Sequence, residues 1–200
     1  MAKGTVILVL AHLLIWRQFY FINPFAYATS ECLEQGFSSF ILLGRHLRRY
    51  GLFSLRDVSD PYYYPNYAGL PFLSSYYLPH RVVAWGTAGW TLNSAFLAYQ
   101  GLMAGHSLAS AVVTLWLSMK AGATLETGLF TAIGLSWAGC WWKQQSSLVY
   151  TAAWAPVMLL AASSQQATLL GISGGMMLTA GYWPICLLTL PVALCCWLLS

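Results

Sequence analysis

Between Thr29 and His80 the chain gathers most of the side chains that could carry chemistry. Four of its five carboxylates lie there (Glu31, Glu34, Asp57 and Asp60), beside Arg45, Arg48, Arg49 and Arg56, with Arg81 at the exit. A carboxylate can deprotonate an acceptor hydroxyl or hold a metal ion, and the guanidinium fork matches phosphate oxygens. These types together fit group transfer from a phosphate. A blander arrangement uses the same residues: Asp57 and Asp60 pair with Arg56 and Arg81 and tie the loop down. Tyr62, Tyr63, Tyr64, Tyr67, Tyr76 and Tyr77 interleave with the charges. They serve either as flat apolar faces for a ligand or as an aromatic belt at a membrane interface.

The elements that must hold this stretch are apolar. Of 200 residues, 58% are hydrophobic and 7% charged, where an ordinary soluble domain carries about 25% charged residues. So few charges cannot clothe a water-exposed surface, and the composition reads as an integral membrane protein. A net charge of +4, spread along the chain, makes no case for nucleic acid. Cys32, Cys140, Cys186, Cys195 and Cys196 have no metal-ligand or disulfide-framework spacing. Nucleophile-elbow, phosphate-loop and zinc patterns are missing too, which leaves soluble hydrolase, ATPase and zinc-enzyme readings without support.

In chain order, Thr5 to Phe21 is an apolar run that reads as a first transmembrane helix. Its end is marked by Trp16, Arg17, Phe19 and Tyr20. The alternative is a signal peptide with Ala26-Tyr27-Ala28 as a small-residue site. Leu33, Phe37, Phe40, Ile41, Leu43, Gly44 and Leu47 then recur at helical spacing, with the arginines on other faces. That pattern predicts a helix lying in the interface. Pro61, Pro65, Gly69, Pro71 and Pro79 forbid a continuous helix through the tyrosine-rich loop. The segment 82–89 reads as a short interfacial piece. Further apolar spans are predicted at 91–117, 125–141, 148–162, 169–180 and 184–199. The fold class expected is an all-α polytopic membrane protein of about five or six transmembrane helices. Its first extramembrane loop is large, ordered, and contains the interfacial helix. The divisions are 1–28, a first transmembrane helix; 29–90, the loop; and 91–200, a transmembrane bundle. His80, Gln100 and His106 read as polar helix–helix contacts facing the bundle interior.

One series of motifs has a recognisable order. It runs through Glu34-Gln35-Gly36-Phe37-x-x-Phe40, Arg48-Arg49-Tyr50-Gly51, Asp60-Pro61-Tyr62-Tyr63 and Ala68-Gly69-Leu70-Pro71-Phe72-Leu73. It continues with Gly134-Leu-Ser-Trp-Ala-Gly139, Ala153-Trp154-Ala155-Pro156 and Leu178-Thr-Ala180-Gly181-Tyr182-Trp183-Pro184. The series resembles the amino-terminal part of the YfhO-like bacterial membrane proteins, which look like members of the GT-C class of glycosyltransferases. Ser59 stands where that pattern has Trp, and Tyr182-Trp183 where it has His.

The resemblance implies a multi-pass protein of the bacterial inner membrane, with its first loop outside and an incomplete bundle after residue 91. It implies transfer of a sugar from a polyprenyl-phosphate donor to an envelope glycan or lipid acceptor. On that reading Glu31 and Asp60 are the catalytic carboxylates. Arg45, Arg48, Arg49, Arg56, Arg81, Tyr62 and Tyr63 are the substrate-binding residues. A divalent metal ion is a candidate cofactor; membrane lipid, a lipid-linked sugar and an envelope-assembly partner are candidate partners. The alternative is a non-catalytic membrane scaffold, or a degenerate or truncated relative of the family. A solute transporter fits less well, since the spans hold almost no ionisable residue and no inverted repeat is visible.

Overall fold

The computed structural model describes residues 2–21, 36–54, 76–141 and 146–200, and every element among them is helical. In chain order these are α1 (Ala2–Phe21), α2 (Ser38–Tyr50), α3 (Leu78–Thr87), α4 (Leu92–Lys120), α5 (Leu125–Trp141), α6 (Ser146–Ser163), α7 (Ala167–Ala180) and α8 (Trp183–Leu199). Their ends follow local chemistry. Pro79 and Pro184 open α3 and α8, where a missing N–H costs nothing. Thr91 caps α4, its hydroxyl accepting the Ser94 N–H at 3.3 Å. Gly181, at φ 92°, ends α7 in the left-handed conformation that glycine adopts without strain.

Helix α4 is the axis. It packs against α1, α3, α5 and α6, and α6 in turn packs against α7 and α8. One end of the bundle is closed by Lys120, whose Nζ donates to the Ser163 carbonyl at 3.0 Å and to Ser164 Oγ at 2.6 Å. Gln165 reaches the Trp197 carbonyl at the same end. A second apolar cluster, Leu8, Ala111, Leu115 and Ala132, joins α1, α4 and α5. A third, built on Met158, Ala162, Met177, Cys186 and Ala193, joins α6, α7 and α8.

At 29 residues α4 is, among the described residues, the one helix long and apolar enough to cross a membrane. It runs about 43 Å at 1.5 Å per residue, against roughly 26 Å for the 17- and 18-residue α5 and α6. Its first turns therefore outrun its neighbours. Around them wrap α2 and α3, in a core of Phe37, Phe40, Leu47, Tyr77, Ala95, Phe96, Tyr99 and Met103. Phe37 meets Phe96 edge-on at 4.9 Å, and Phe40 lies 5.2 Å from Tyr99. Together α2 and α3 form a platform on the protruding end of α4.

The outward faces are apolar. Phe130 is 82% exposed and Leu188 74%, and Leu10, Leu13, Leu14, Leu187 and Leu198 are also exposed. Burying such a side chain away from water is worth about 1.5–3 kcal/mol, so a row of them exposed to water would be costly.

The helix expected between Glu31 and Tyr50 is present as α2 from Ser38, with residues 31–35 outside the described residues, and the short piece expected at 82–89 is the longer α3. Tyr77, grouped in sequence with the loop tyrosines, is fully buried in the bundle. The reason is position: it immediately precedes α3, facing α4 and α6, while Tyr76 beside it is exposed.

Candidate functional site

The platform carries the arginines. Helix α2 buries Phe40, Leu43, Gly44 and Leu47 and leaves Arg45, Arg48 and Arg49 exposed. Its seat on α3 depends on Gly44, since a Cβ there would collide with the Ala84 carbonyl oxygen. Arg48 is partly engaged: its Nε donates to the Trp85 carbonyl at 3.0 Å, and its guanidinium lies over the Trp85 ring at 5.2 Å. Arg49 lies over the Tyr50 ring at 5.3 Å. Arg45 has no partner among the described residues and lines a cleft between α2 and the α3–α4 turn.

Arg81 behaves differently. It is 6% exposed, and its Nε and Nη2 donate to the carbonyls of Leu52 and Ser54 at 3.0 and 2.6 Å. A guanidinium fork thus holds the chain just after α2, where Gly51, at φ 96°, turns it away from the helix. Burial lowers the Arg81 pKa, with Tyr76 opposing; the group remains a cation. Arg81 is a clamp on the entry to the tyrosine-rich loop.

Below the platform lies a buried polar network that joins α3, α4 and α6. The Trp154 indole N–H donates to Tyr77 Oη at 2.8 Å. His106 Nδ1 lies 2.7 Å from the Leu102 carbonyl, which can only accept, so Nδ1 carries the proton. Nε2 is then the acceptor for the Tyr77 O–H. The result is a directed chain: Trp154 to Tyr77, Tyr77 to His106, His106 to the Leu102 backbone. Beside it His80 Nδ1 lies 3.3 Å from Tyr150 Oη, and the His80 ring stands edge-on to Phe40 at 5.2 Å. Burial pushes the Tyr77 phenol up to about 12, with the Trp154 hydrogen bond opposing. Burial, then the nearby His106, pulls the His80 imidazole down to about 3. Both groups are neutral at physiological pH, and the network holds the platform to the bundle.

Of the residues singled out from sequence, the structure brings Arg45, Arg48 and Arg49 onto one face of α2 and sets Arg81 behind them. Glu31, Arg56, Asp60, Tyr62 and Tyr63 lie outside the described residues. His80, Gln100 and His106 face the interior, as their polarity within apolar runs predicts. Sequence reading did not assign Tyr77 and Trp154 to one network; the only trace was an indole donor in an apolar helix, which needs an acceptor when buried. Among the described residues no group of three or more His, Cys, Asp or Glu side chains could hold a metal ion. No protein-family model, no curated protein and no solved structure matches the chain.

Proposed function

We propose that this chain is a polytopic membrane protein of GT-C type, transferring a sugar from a polyprenyl-phosphate donor to an envelope glycan or lipid acceptor. The observation that carries the reading is the platform. An arginine-bearing helical layer sits on the protruding end of the long apolar helix α4, with Trp85 and Trp90 exposed beside it. Tryptophan favours headgroup depth, and guanidiniums with no carboxylate partner among the described residues suit the phosphate of a lipid-linked donor. The apolar outward faces of α1, α5 and α8 support several spans, with α2 and α3 too short to cross.

On this reading the carboxylate of Glu31 takes the proton of the acceptor hydroxyl as its oxygen attacks the anomeric carbon. The bond from that carbon to the phosphate oxygen breaks, and the lipid phosphate leaves with its charge met by Arg45, Arg48 and Arg49. Asp60 pins the adjoining turn. Arg81 acts at a distance, by fixing the start of the loop that carries Arg56, Asp60, Tyr62 and Tyr63. No step is assigned to a metal ion.

The test is envelope glycan modification with Glu31→Gln expressed at the wild-type level. Glu31→Gln keeps size and hydrogen bonding while removing the base, so a folded protein with at least 100-fold lower transfer is expected. Full activity in that variant would leave the non-catalytic scaffold as the better reading.

A further inference from the structure

The face of α2 that carries the arginines ends in a small cleft. Ile41 and Arg45 form one wall, and Thr87, Gly89, Trp90 and Leu92 of the α3–α4 turn form the other. Its volume, about 200 Å³, is below the range of about 300–1,000 Å³ typical of sites that enclose a drug-sized ligand. It has room for a headgroup and not for a whole lipid. At its mouth Trp90 is 58% exposed and Leu92 63%, an apolar rim on which a chain could continue outward.

Among the described residues the charge around the cleft is one-sided. Arg45 is without a partner among the described residues, and Arg48 and Arg49 follow it one turn on along the same face of α2. The only carboxylate side chain among the described residues, Glu126, lies in the first turn of α5, at the opposite end of the bundle. Thr87, the hydroxyl nearest the floor, is already used, donating to the Val83 carbonyl at 2.8 Å. A cation beside an apolar rim, with no acid near it among the described residues, suits a ligand that is anionic at one end and apolar at the other.

We propose that this cleft binds the phosphodiester headgroup of an anionic glycerophospholipid, with Arg45 on the phosphate and Trp90 and Leu92 against the start of the acyl chains. Such a lipid would seat the platform on the membrane surface and set the depth of α2. The proposal rests on the membrane placement argued above and not on sugar transfer.

The test uses the full chain, purified and delipidated in a neutral detergent. It is titrated separately with phosphatidylglycerol, phosphatidylcholine, undecaprenyl phosphate and inorganic phosphate, and bound species are counted by native mass spectrometry. One phosphatidylglycerol should be retained in preference to phosphatidylcholine. Arg45→Gln should weaken it about fivefold, the effect of one basic side chain at an anionic surface. Arg45→Lys should fall between the two, and Arg17→Gln, an exposed cation on α1 outside the cleft, should stay within about twofold. Trp90→Ala, which lies in none of the apolar core clusters, should also weaken retention with helical content unchanged. Wild-type retention in Arg45→Gln or in Trp90→Ala overturns the proposal. So does equal loss in Arg17→Gln, which would mean a diffuse charge effect. Capture of undecaprenyl phosphate without phosphatidylglycerol also overturns it while supporting the donor reading, and capture of inorganic phosphate alone defeats it in favour of a free anion.

Discussion

The indole N–H of Trp154 in α6 donates to the hydroxyl of Tyr77 at 2.8 Å, across 77 residues of sequence, at the point where α3 meets the bundle. The same hydroxyl donates to His106 of α4, so one oxygen ties three helices together. Tyr77→Phe leaves a partly buried indole N–H and a partly buried imidazole nitrogen without this partner. Each such group costs about 1–3 kcal/mol. Thermal unfolding in detergent should show a clear loss for Tyr77→Phe, while Tyr76→Phe, at an exposed position, stays within about 0.5 kcal/mol.

Gly44 sets how closely α2 approaches α3. Gly44→Val places side-chain carbons against the Ala84 carbonyl and should destabilise the platform by about 1–3 kcal/mol. Gly86 in α3 has open space where its Cβ would be. Gly86→Ala should therefore be neutral or stabilising by up to about 1 kcal/mol, since alanine is the better helix former. Equal melting temperatures for the two variants would refute the close-approach argument.

Removing the Arg81 clamp should loosen the chain after α2. Arg81→Gln cannot reach both the Leu52 and Ser54 carbonyls with a charged fork, and hydrogen bonds from charged groups are worth about 1.5–3 kcal/mol. Limited trypsin digestion should cut after Arg49 about tenfold faster in the variant. An unchanged cutting rate would mean that the clamp does not order this segment.

The pH dependence follows from His80. Its pKa is about 3 when folded against 6.5 when unfolded, so the folded state holds fewer protons between those values. Its contribution to stability is complete above about pH 6.5 and declines as the pH falls towards 3. At pH 5 the loss from this group is about 2 kcal/mol. His46, lowered by burial and by Arg81, acts in the same direction. The difference in unfolding free energy between wild type and His80→Phe should shrink by that amount from pH 7 to pH 5. A difference independent of pH would rule His80 out.

Sidedness has a direct test. Ser54 lies at the platform end of the bundle and Ser164 at the Lys120 end. In a background without native cysteines, Ser54→Cys should react with an impermeant reagent in intact cells and Ser164→Cys should be protected. The reverse pattern would place the platform in the cytoplasm.

The helices themselves were written in the sequence. Apolar runs broken by Gly122, Gln165-Gln166 and Gly181-Tyr182 bound α5 to α8 to within a few residues, because capping and turn chemistry is local. The amphipathic spacing of Phe37, Phe40, Leu43, Gly44 and Leu47 likewise marked α2 and the arginine face opposite its buried side. Local sequence could not say which partners long side chains choose. Nothing in the spacing of Arg81 announces that its guanidinium meets the Leu52 and Ser54 carbonyls; Asp57 and Asp60, its partners on spacing alone, lie outside the described residues. Tyr77 looks like its exposed neighbour Tyr76, yet it is buried because α4 outruns α6 and leaves a socket between them. Gly44 reads as one more small residue on an apolar stripe until the Ala84 backbone is found against it. Such features depend on relative helix length and crossing, which are set by packing between segments far apart in the chain, and only the tertiary structure decided them.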